Sequence, residues 1–447
     1  MRRAGKRVPL NVLLNGRQLG ILRMERSGAV SFVYDDSWLS WEHALPVSLS
    51  LPLQEQAHIG APIIAYLENL LPDNQVIRDR IAAKVGSDGT DAYNLLAKLG
   101  RDCVGALQFV ADDQNANNEK PGEIHAEPVT DSDVAETLNN LTTSPLGIKE
   151  DSDFRISIAG AQEKTALLRM NGKWFRPSGM TPTSHILKTQ LGQLPNGINL
   201  SDSVENEFFC MRFCAAMGAE VANVEIVEFE DVRALAIERF DRQWTSDGRL
   251  LRIPQEDFCQ AMAYPPSQKY QSDGGPSVVD GLELLAASDD PTADQISFIR
   301  AQVVFWLLGA TDGHAKNFSI RLGFGGGFKM TPLYDVLSAQ RAFDKSQIKH
   351  SQYKLAMSLG RSRNYRIDQI AARHVFETAK EGSIGEMPVK AMLEDILSKV
   401  PDAIHATTNL MADDFPEELS AAISKGIHKR SQGLERTLNG KETENEG

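Results

Sequence analysis

From residue 8 to about residue 55 the chain alternates apolar and polar positions in short runs, "VPLNVLLNG", "AVSFVYDD" and "PVSLSLPL", each bounded by turn residues. A period of two sends one face of a strand into a core, so these runs predict β-strands. From Ala61 to Leu99 the spacing lengthens to three and four residues. There "IIAYLENLLPDNQVIRDRIAAKVG" predicts helices broken by Pro72, with Gly86 placed to close the last one. An α/β unit therefore occupies roughly the first 110 residues. The stretch "ADDQNANNEKPGEIHAEPVTDSD" is polar and poor in aromatic and β-branched residues, which predicts a linker and a boundary within residues 111–150.

Strand-like runs return in "FRISIAG" and "KTALLRMNGKWFRP", on either side of the small and polar loop "AGAQE", and "SHILK" is a short strand ending in Lys188. "SDSVENEFFCMRFCAAMGAE" carries Val204, Phe208, Met211 and Ala215 at helical spacing, with Ser201 or Ser203 as N-cap and Gly218 at the far end. "VEIVEFEDVRALAIERFDR" then predicts a hairpin. Beyond Asp241 the pattern turns helical, in "ADQISFIRAQVVFWLLGAT", "RIDQIAARHVFETAK", "PVKAMLEDILSKV" and "PEELSAAISKGIHK".

Candidate chemistry enters at "ATDGHAKNFSI", a loop between an apolar helix and a strand. Asp312 and Asn317 are separated by four residues, the D-x-x-x-x-N spacing in which a kinase Asp accepts the substrate hydroxyl proton and the Asn reaches a Mg²⁺ ion. The following "FSIRLGFGGGFKMTPLYDVLS" predicts a strand, a glycine turn and a second strand that would return Asp335 toward the loop. Hard cations take oxygen ligands, so Asn317 and Asp335 suffice for Mg²⁺ when ATP supplies further oxygens. Read alone, Asp335 would instead cap a helix beginning at Val336. Lys188 matches the strand lysine that grips nucleotide phosphates, with Glu207 on the next helix as its partner and Glu205 as the alternative. Together these residues favour phosphoryl transfer on an α+β fold: an N-terminal α/β unit, then a bilobal protein-kinase-like fold with a β-rich small lobe and a helical large lobe. The corresponding division is residues 1–145, 146–243 and 244–447.

Composition narrows the setting. The net charge of −13 opposes broad electrostatic binding to a polyanion. The basic start is interrupted by Asn11 and Asn15 and lacks a small-residue cleavage site, so a first strand is expected rather than a signal peptide. No run approaches the roughly 18 apolar residues of a membrane span. Cys103, Cys210, Cys214 and Cys259 form no C-x-x-C pair, which fits free thiols in a reducing, cytoplasmic setting.

The stretches "FRISIAGAQEKTALL", "HILK", "ALAIERFDR", "LLGATDGHAKNFSI" and "TPLYDV" resemble the motifs of HipA, the serine/threonine kinase toxin family of HipBA toxin–antitoxin modules. "SLSLPL", "NLLPD" and "GRDCVGAL" resemble that family's N-terminal region, so the resemblance covers nearly the whole chain. It implies an ATP- and Mg²⁺-dependent kinase that arrests growth by phosphorylating a translation component, with glutamyl-tRNA synthetase the target associated with the family. It also implies a HipB-type DNA-binding antitoxin that holds the toxin at operator DNA. By this resemblance Asp312 is the catalytic base and Asp335 a Mg²⁺ ligand. Lys188 and the loop Ala159, Gly160, Ala161, Gln162, Glu163 and Lys164 contact ATP, and Glu238, Arg239 and Phe240 border the adenine. From their place in the same loop, His314 and Lys316 are expected in a supporting role on the phosphates, and the resemblance implies that Ser157 is the autophosphorylated serine.

Two departures from ordinary protein kinases frame the alternatives. No G-x-G-x-x-G is present, so Gly160 and its small neighbours must let the backbone approach the phosphates. The D-G-H order in place of H-R-D resembles the loop of phosphoinositide lipid kinases, which makes a lipid or small-molecule kinase the enzymatic alternative. A non-catalytic, DNA-bound corepressor of kinase-like shape is the alternative from another class.

Overall fold

The computed structural model describes residues 8–111, 120–148, 156–160 and 162–440. The chain divides into two compact units. One comprises residues 1–189, 227–267 and 319–328, the other residues 190–226, 268–318 and 329–447.

The first unit opens with a five-stranded sheet, ordered His58–Ile59, Val30–Tyr34, Arg17–Met24, Leu10–Leu14 and Leu107–Ala111. The predicted alternation holds: Leu10, Val12, Leu22 and Phe32 are buried, and helices Ala61–Glu68 and Ala92–Leu99 pack on the sheet. Gly86 closes the intervening helix Gln75–Val85 with a left-handed φ of 60°. "PVSLSLPL", expected as a strand, is instead a turn carrying an isolated bridge between Ser48 and Leu51. Ser48 Oγ takes the Ser50 amide at 3.0 Å, and Ser50 Oγ donates to the Gln260 carbonyl at 2.8 Å, local bonds that compete with a ladder.

A six-stranded sheet follows, ordered Val224–Phe229, Val232–Glu238, His185–Thr189, Lys164–Met170, Lys173–Pro177 and Ala126–Pro128. Its last strand and the helix Asp131–Asn139 lie in the stretch expected as a linker. Thr130 and Asp133 form a capping box there, and Val134 and Leu138 join Trp174, Leu187 and Phe229 in a core. Local polarity had hidden two apolar positions four residues apart. "FRISIAG" forms no strand among its described residues; Ile156 and Gly160 make isolated bridges to Asp102 and Pro72.

Buried charge ties this sheet to the N-terminal region. Asp102 accepts from Arg242 Nη2 at 2.8 Å, Arg252 Nε at 3.1 Å and Arg239 Nη1 at 3.3 Å. Asp241 completes the group through Arg239 and the Gly105 amide. Burial alone would raise the Asp102 pKa, but the three guanidinium groups carry it below the usual carboxylate range.

In the second unit the helices Ser203–Ala216, Pro291–Leu308, Glu386–Thr408 and Glu417–Leu438 pack on one another. The N-cap of the first is Asp202, not Ser201 or Ser203. Ser203 Oγ instead accepts the Leu191 amide at 2.8 Å. Among the described residues no helix is long and apolar enough to cross a membrane. The four cysteines are free and buried.

Candidate active site

The helix Pro291–Leu308 delivers its C-terminal end to the Asp312 loop, and its last carbonyls are capped. Arg430 donates through Nη2 to Leu307 at 2.8 Å, and Ser338 Oγ donates to Leu308 at 2.5 Å. Gly309 turns the chain with φ 66°, and a Cβ there would meet the Tyr353 hydroxyl at 2.0 Å. At Gly313 a Cβ would lie 2.5 Å from the Phe305 ring, so the loop lies flat against the helix only without a side chain. Phe318 packs on Phe298 and Phe305 and fixes the exit.

Within this loop the His314 amide donates to the Asp312 carbonyl at 2.8 Å, and the Asn317 amide to the His314 carbonyl at 2.9 Å. The Asp312 side chain is exposed, and its Oδ1 accepts from the Tyr270 hydroxyl. The Tyr270 ring meets His314 edge-on, with centroids 4.9 Å apart. Burial holds the His314 imidazole below its usual pKa, outweighing the upward pull of the Asp312 carboxylate. Its Nδ1 is buried with no hydrogen-bond partner.

Asn317 is 2% exposed and donates from Nδ2 to the Asp335 carbonyl at 3.2 Å, while its Oδ1 is buried and unpartnered. Asp335 has a left-handed φ of 60°, uncommon for a residue with a Cβ and tolerated best by Asp and Asn. The turn is pinned on both sides. Leu333 exchanges backbone bonds with Glu220 and Ala222, each at 2.8 Å, and Ser338 exchanges two with the Asn206 side chain, also at 2.8 Å. Tyr334 donates its hydroxyl to the Lys316 carbonyl at 2.8 Å, joining the turn to the loop. The next helix after Asp335 begins at Gln340, so Asp335 caps no helix at Val336.

The donor set fits Mg²⁺. An orphaned amide oxygen and a carboxylate from a strained turn are hard oxygen ligands, and such sites complete their shell from water and phosphate. Among the described residues no group of three or more His, Cys, Asp and Glu is placed to hold a metal by itself.

The lysines and the small-residue loop belong to the first unit. Lys164 and Lys188 are cross-strand partners, 7% and 5% exposed, which puts two ammonium groups on one sheet face. Lys164 Nζ donates to the Ala159 carbonyl at 2.7 Å. Gly160 has φ 109°, and a Cβ there would lie 2.6 Å from Lys164 Nζ. Its carbonyl accepts the Asp73 amide at 3.2 Å. Ser157 is fully buried: its amide donates to the Asp102 carbonyl at 2.9 Å and its Oγ to the Leu70 carbonyl at 2.7 Å. Ala161 lies outside the described residues.

Other expected ATP contacts are engaged elsewhere. Gln162 donates to the Thr189 carbonyl at 2.9 Å, and Glu163 pairs with Arg80 at 3.0 Å. The Arg239 guanidinium is engaged most fully. All five of its N–H groups go to Asp241, Asp102, Thr183 and the Cys103 carbonyl, so its side chain organises the buried charge group and has no donor left for a nucleotide. Glu238 is exposed at the strand end, and the Phe240 carbonyl accepts from Arg321 at 3.3 Å. Glu205 and Glu207 are both buried on the helix Ser203–Ala216, where Glu205 Oε2 accepts from the side-chain Nε2 of Gln190 at 2.7 Å.

Sequence patterns missed Tyr270. Its segment, "YPPSQKYQSDGG", has neither period and is dense in turn residues, so nothing in it points to Asp312 more than forty residues later.

Two family models match the chain: the HipA N-terminal domain over residues 10–110 and the HipA-like C-terminal domain over residues 156–404. A Sinorhizobium fredii protein designated kinase Y4mE is 34% identical over 397 residues, 88% of this chain and 90% of its own length. The serine/threonine-protein kinase toxin HipA of Shewanella oneidensis is 29% identical over 356 residues, 76% of this chain and 78% of its own. HipA of Shewanella oneidensis MR-1, solved with HipB and operator DNA, superposes with a TM-score of 0.81 at 24% identity, covering 97% of this chain and 99% of that one. That likeness bears on the fold.

Proposed function

The chain belongs to the HipA family and is a serine/threonine protein kinase, and from that premise we propose that it is the toxin of a type II toxin–antitoxin system, transferring the γ-phosphoryl group of ATP to a protein hydroxyl. The observation that carries the site assignment is the Asn317–Asp335 pair: the Asn317 Nδ2 bonds the Asp335 carbonyl in a left-handed turn, leaving the buried Asn317 Oδ1 unpartnered in the loop that carries Asp312.

In this reading Asp312, exposed at the loop tip, receives the proton of the acceptor hydroxyl. Asn317 and Asp335 hold Mg²⁺, which when bound neutralises charge on the phosphates. Lys188 and Lys164 bind phosphate oxygens, and the backbone around Gly160 covers them. His314 and Lys316 have a supporting role on the phosphates, and residues 238–240 border the adenine. Ser157 is the autophosphorylation site. Because its hydroxyl is buried, the loop must leave its bonds to Asp102 and Leu70 before phosphate can be accepted, and a dianion cannot return to that place. Phosphorylation would thus remove the cover from the nucleotide site and switch the enzyme off.

The partners that follow are a HipB-type antitoxin, operator DNA through that complex, and a translation component such as glutamyl-tRNA synthetase, all in the cytoplasm. The division at residues 145 and 243 is part of the same proposal. Incubation with γ-labelled ATP and a bacterial extract tests it. Label on a protein serine or threonine supports the reading, label extracted with lipid favours a lipid kinase, and no label leaves the non-catalytic corepressor.

A further inference from the structure

Asp312 stands on the exposed tip of its loop, where a short carboxylate side chain would sample several rotamers. One of its oxygens is nevertheless held: the Tyr270 hydroxyl donates to Oδ1. A hydrogen bond to an ionised carboxylate is among the stronger kinds, and a base fixed by a third group is the recurring logic of activated acceptors.

Tyr270 is itself held from several directions. Its carbonyl accepts the amides of Asp273 and Gly275, both at 3.0 Å. Gly275 is required there, since a Cβ would fall 1.8 Å from the Gln268 carbonyl oxygen. Gln271, the next residue, takes the Ser358 amide at 2.7 Å and hydroxyl at 3.1 Å. On the other side the Lys269 carbonyl accepts the Ala315 amide at 3.2 Å, which docks this segment on the Asp312 loop itself. The Lys269 ammonium lies 5.4 Å from the Tyr270 ring centroid, and the ring edge packs on His314.

We propose that Tyr270 is a positioning residue for phosphoryl transfer, its hydroxyl holding Asp312 so that the second carboxylate oxygen faces the acceptor. The inference rests on the assignment of Asp312 as the base. As the acceptor oxygen forms its bond to the γ-phosphorus, the bond from that phosphorus to the β–γ bridging oxygen breaks and ADP leaves. The acceptor proton passes to Asp312 Oδ2, while Tyr270 keeps its own proton and its bond to Oδ1. Tyr270 binds neither nucleotide nor metal in this scheme, so its loss should be felt in turnover and not in ATP binding.

The test is Tyr270→Phe, which keeps the ring, its contact with His314 and the cation–π contact with Lys269, and deletes one oxygen. Labelled protein formed from γ-labelled ATP in the extract is followed as a function of ATP concentration for the parent, Tyr270→Phe and Asp312→Ala. The expected result is a fall in kcat of about tenfold or more, with the KM for ATP within about twofold of the parent. A kcat equal to or above the parent's overturns the inference, and so does a parallel rise in KM with a lower melting temperature, which would mark a structural tyrosine. If Asp312→Ala labels protein as fast as the parent, the base assignment itself fails and the inference with it. If that variant is inactive while Tyr270→Phe equals the parent, only the positioning role is lost.

Discussion

Asn317 Nδ2 donates to the main-chain carbonyl of Asp335 at 3.2 Å, across eighteen residues of chain. This bond fixes which face of the amide is left over, and Oδ1 is the face without a partner. The same bond supports the left-handed turn that carries the Asp335 carboxylate. One contact thus orients the Asn317 amide and braces the backbone that carries Asp335.

Asp335→Asn tests the metal assignment without disturbing the turn, because Asn tolerates a φ of 60° nearly as well as Asp. Titration calorimetry should show Mg²⁺-ATP affinity reduced by about tenfold or more, with ATP affinity in EDTA little changed. Equal Mg²⁺-ATP affinity in variant and parent would assign Asp335 a purely structural role.

Protein phosphorylated at Ser157 should bind Mg²⁺-ATP more weakly than unmodified protein, since the modified side chain cannot re-enter a pocket where the hydroxyl donates to the Leu70 carbonyl. Ser157→Ala should transfer phosphate without progressive self-inactivation. Equal affinities, or unchanged self-inactivation in that variant, would refute the switch.

Much of the fold was legible because it rests on local period: the strands near Leu10 and Val30, the helix Pro291–Leu308 and its Gly309 stop. The Asp312–Asn317 spacing and the return of Asp335 after a glycine turn were legible for the same reason. What escaped reading depends on partners distant in sequence. Asp102 meets Arg239, Arg242 and Arg252 only through the fold, so nothing local in "ERF" points to the buried charge group that engages the Arg239 guanidinium. Tyr270 reaches Asp312 from a segment with no period at all. "PVSLSLPL" has strand periodicity, but its serines satisfy local backbone groups and take the Gln260 carbonyl.

Asp102→Asn should be severely destabilising, by about 3–5 kcal/mol, because it leaves three buried guanidinium groups with one carboxylate, that of Asp241. Urea unfolding of the first unit checks this. Since the Asp102 pKa is depressed in the fold, its stabilisation is present at neutral pH and is lost as pH falls below the ordinary carboxylate range. A midpoint within experimental error of the parent's would contradict the role given to the cluster.

Glu256 gives the opposite sign. Burial pushes its carboxyl from 4.5 up to about 8, against hydrogen bonds from Ser48 and the Leu49 amide. Between those values the folded chain holds a proton that the unfolded chain releases, so stability declines as pH rises from the lower value through the upper. Glu256→Gln should flatten that decline in thermal melts taken from about pH 4.5 to about pH 8. The same slope in parent and variant would show that Glu256 is not the titrating group.

Asp312 is proposed as the base of a phosphoryl transfer whose nucleotide site is built by other residues. The most direct test of that role is Asp312→Ala, assayed in parallel for label transfer from γ-labelled ATP and for Mg²⁺-ATP affinity by calorimetry. Transfer should fall to background with affinity and melting temperature close to the parent's, since the side chain is exposed and its removal opens no cavity. Transfer at the parent's rate would contradict it.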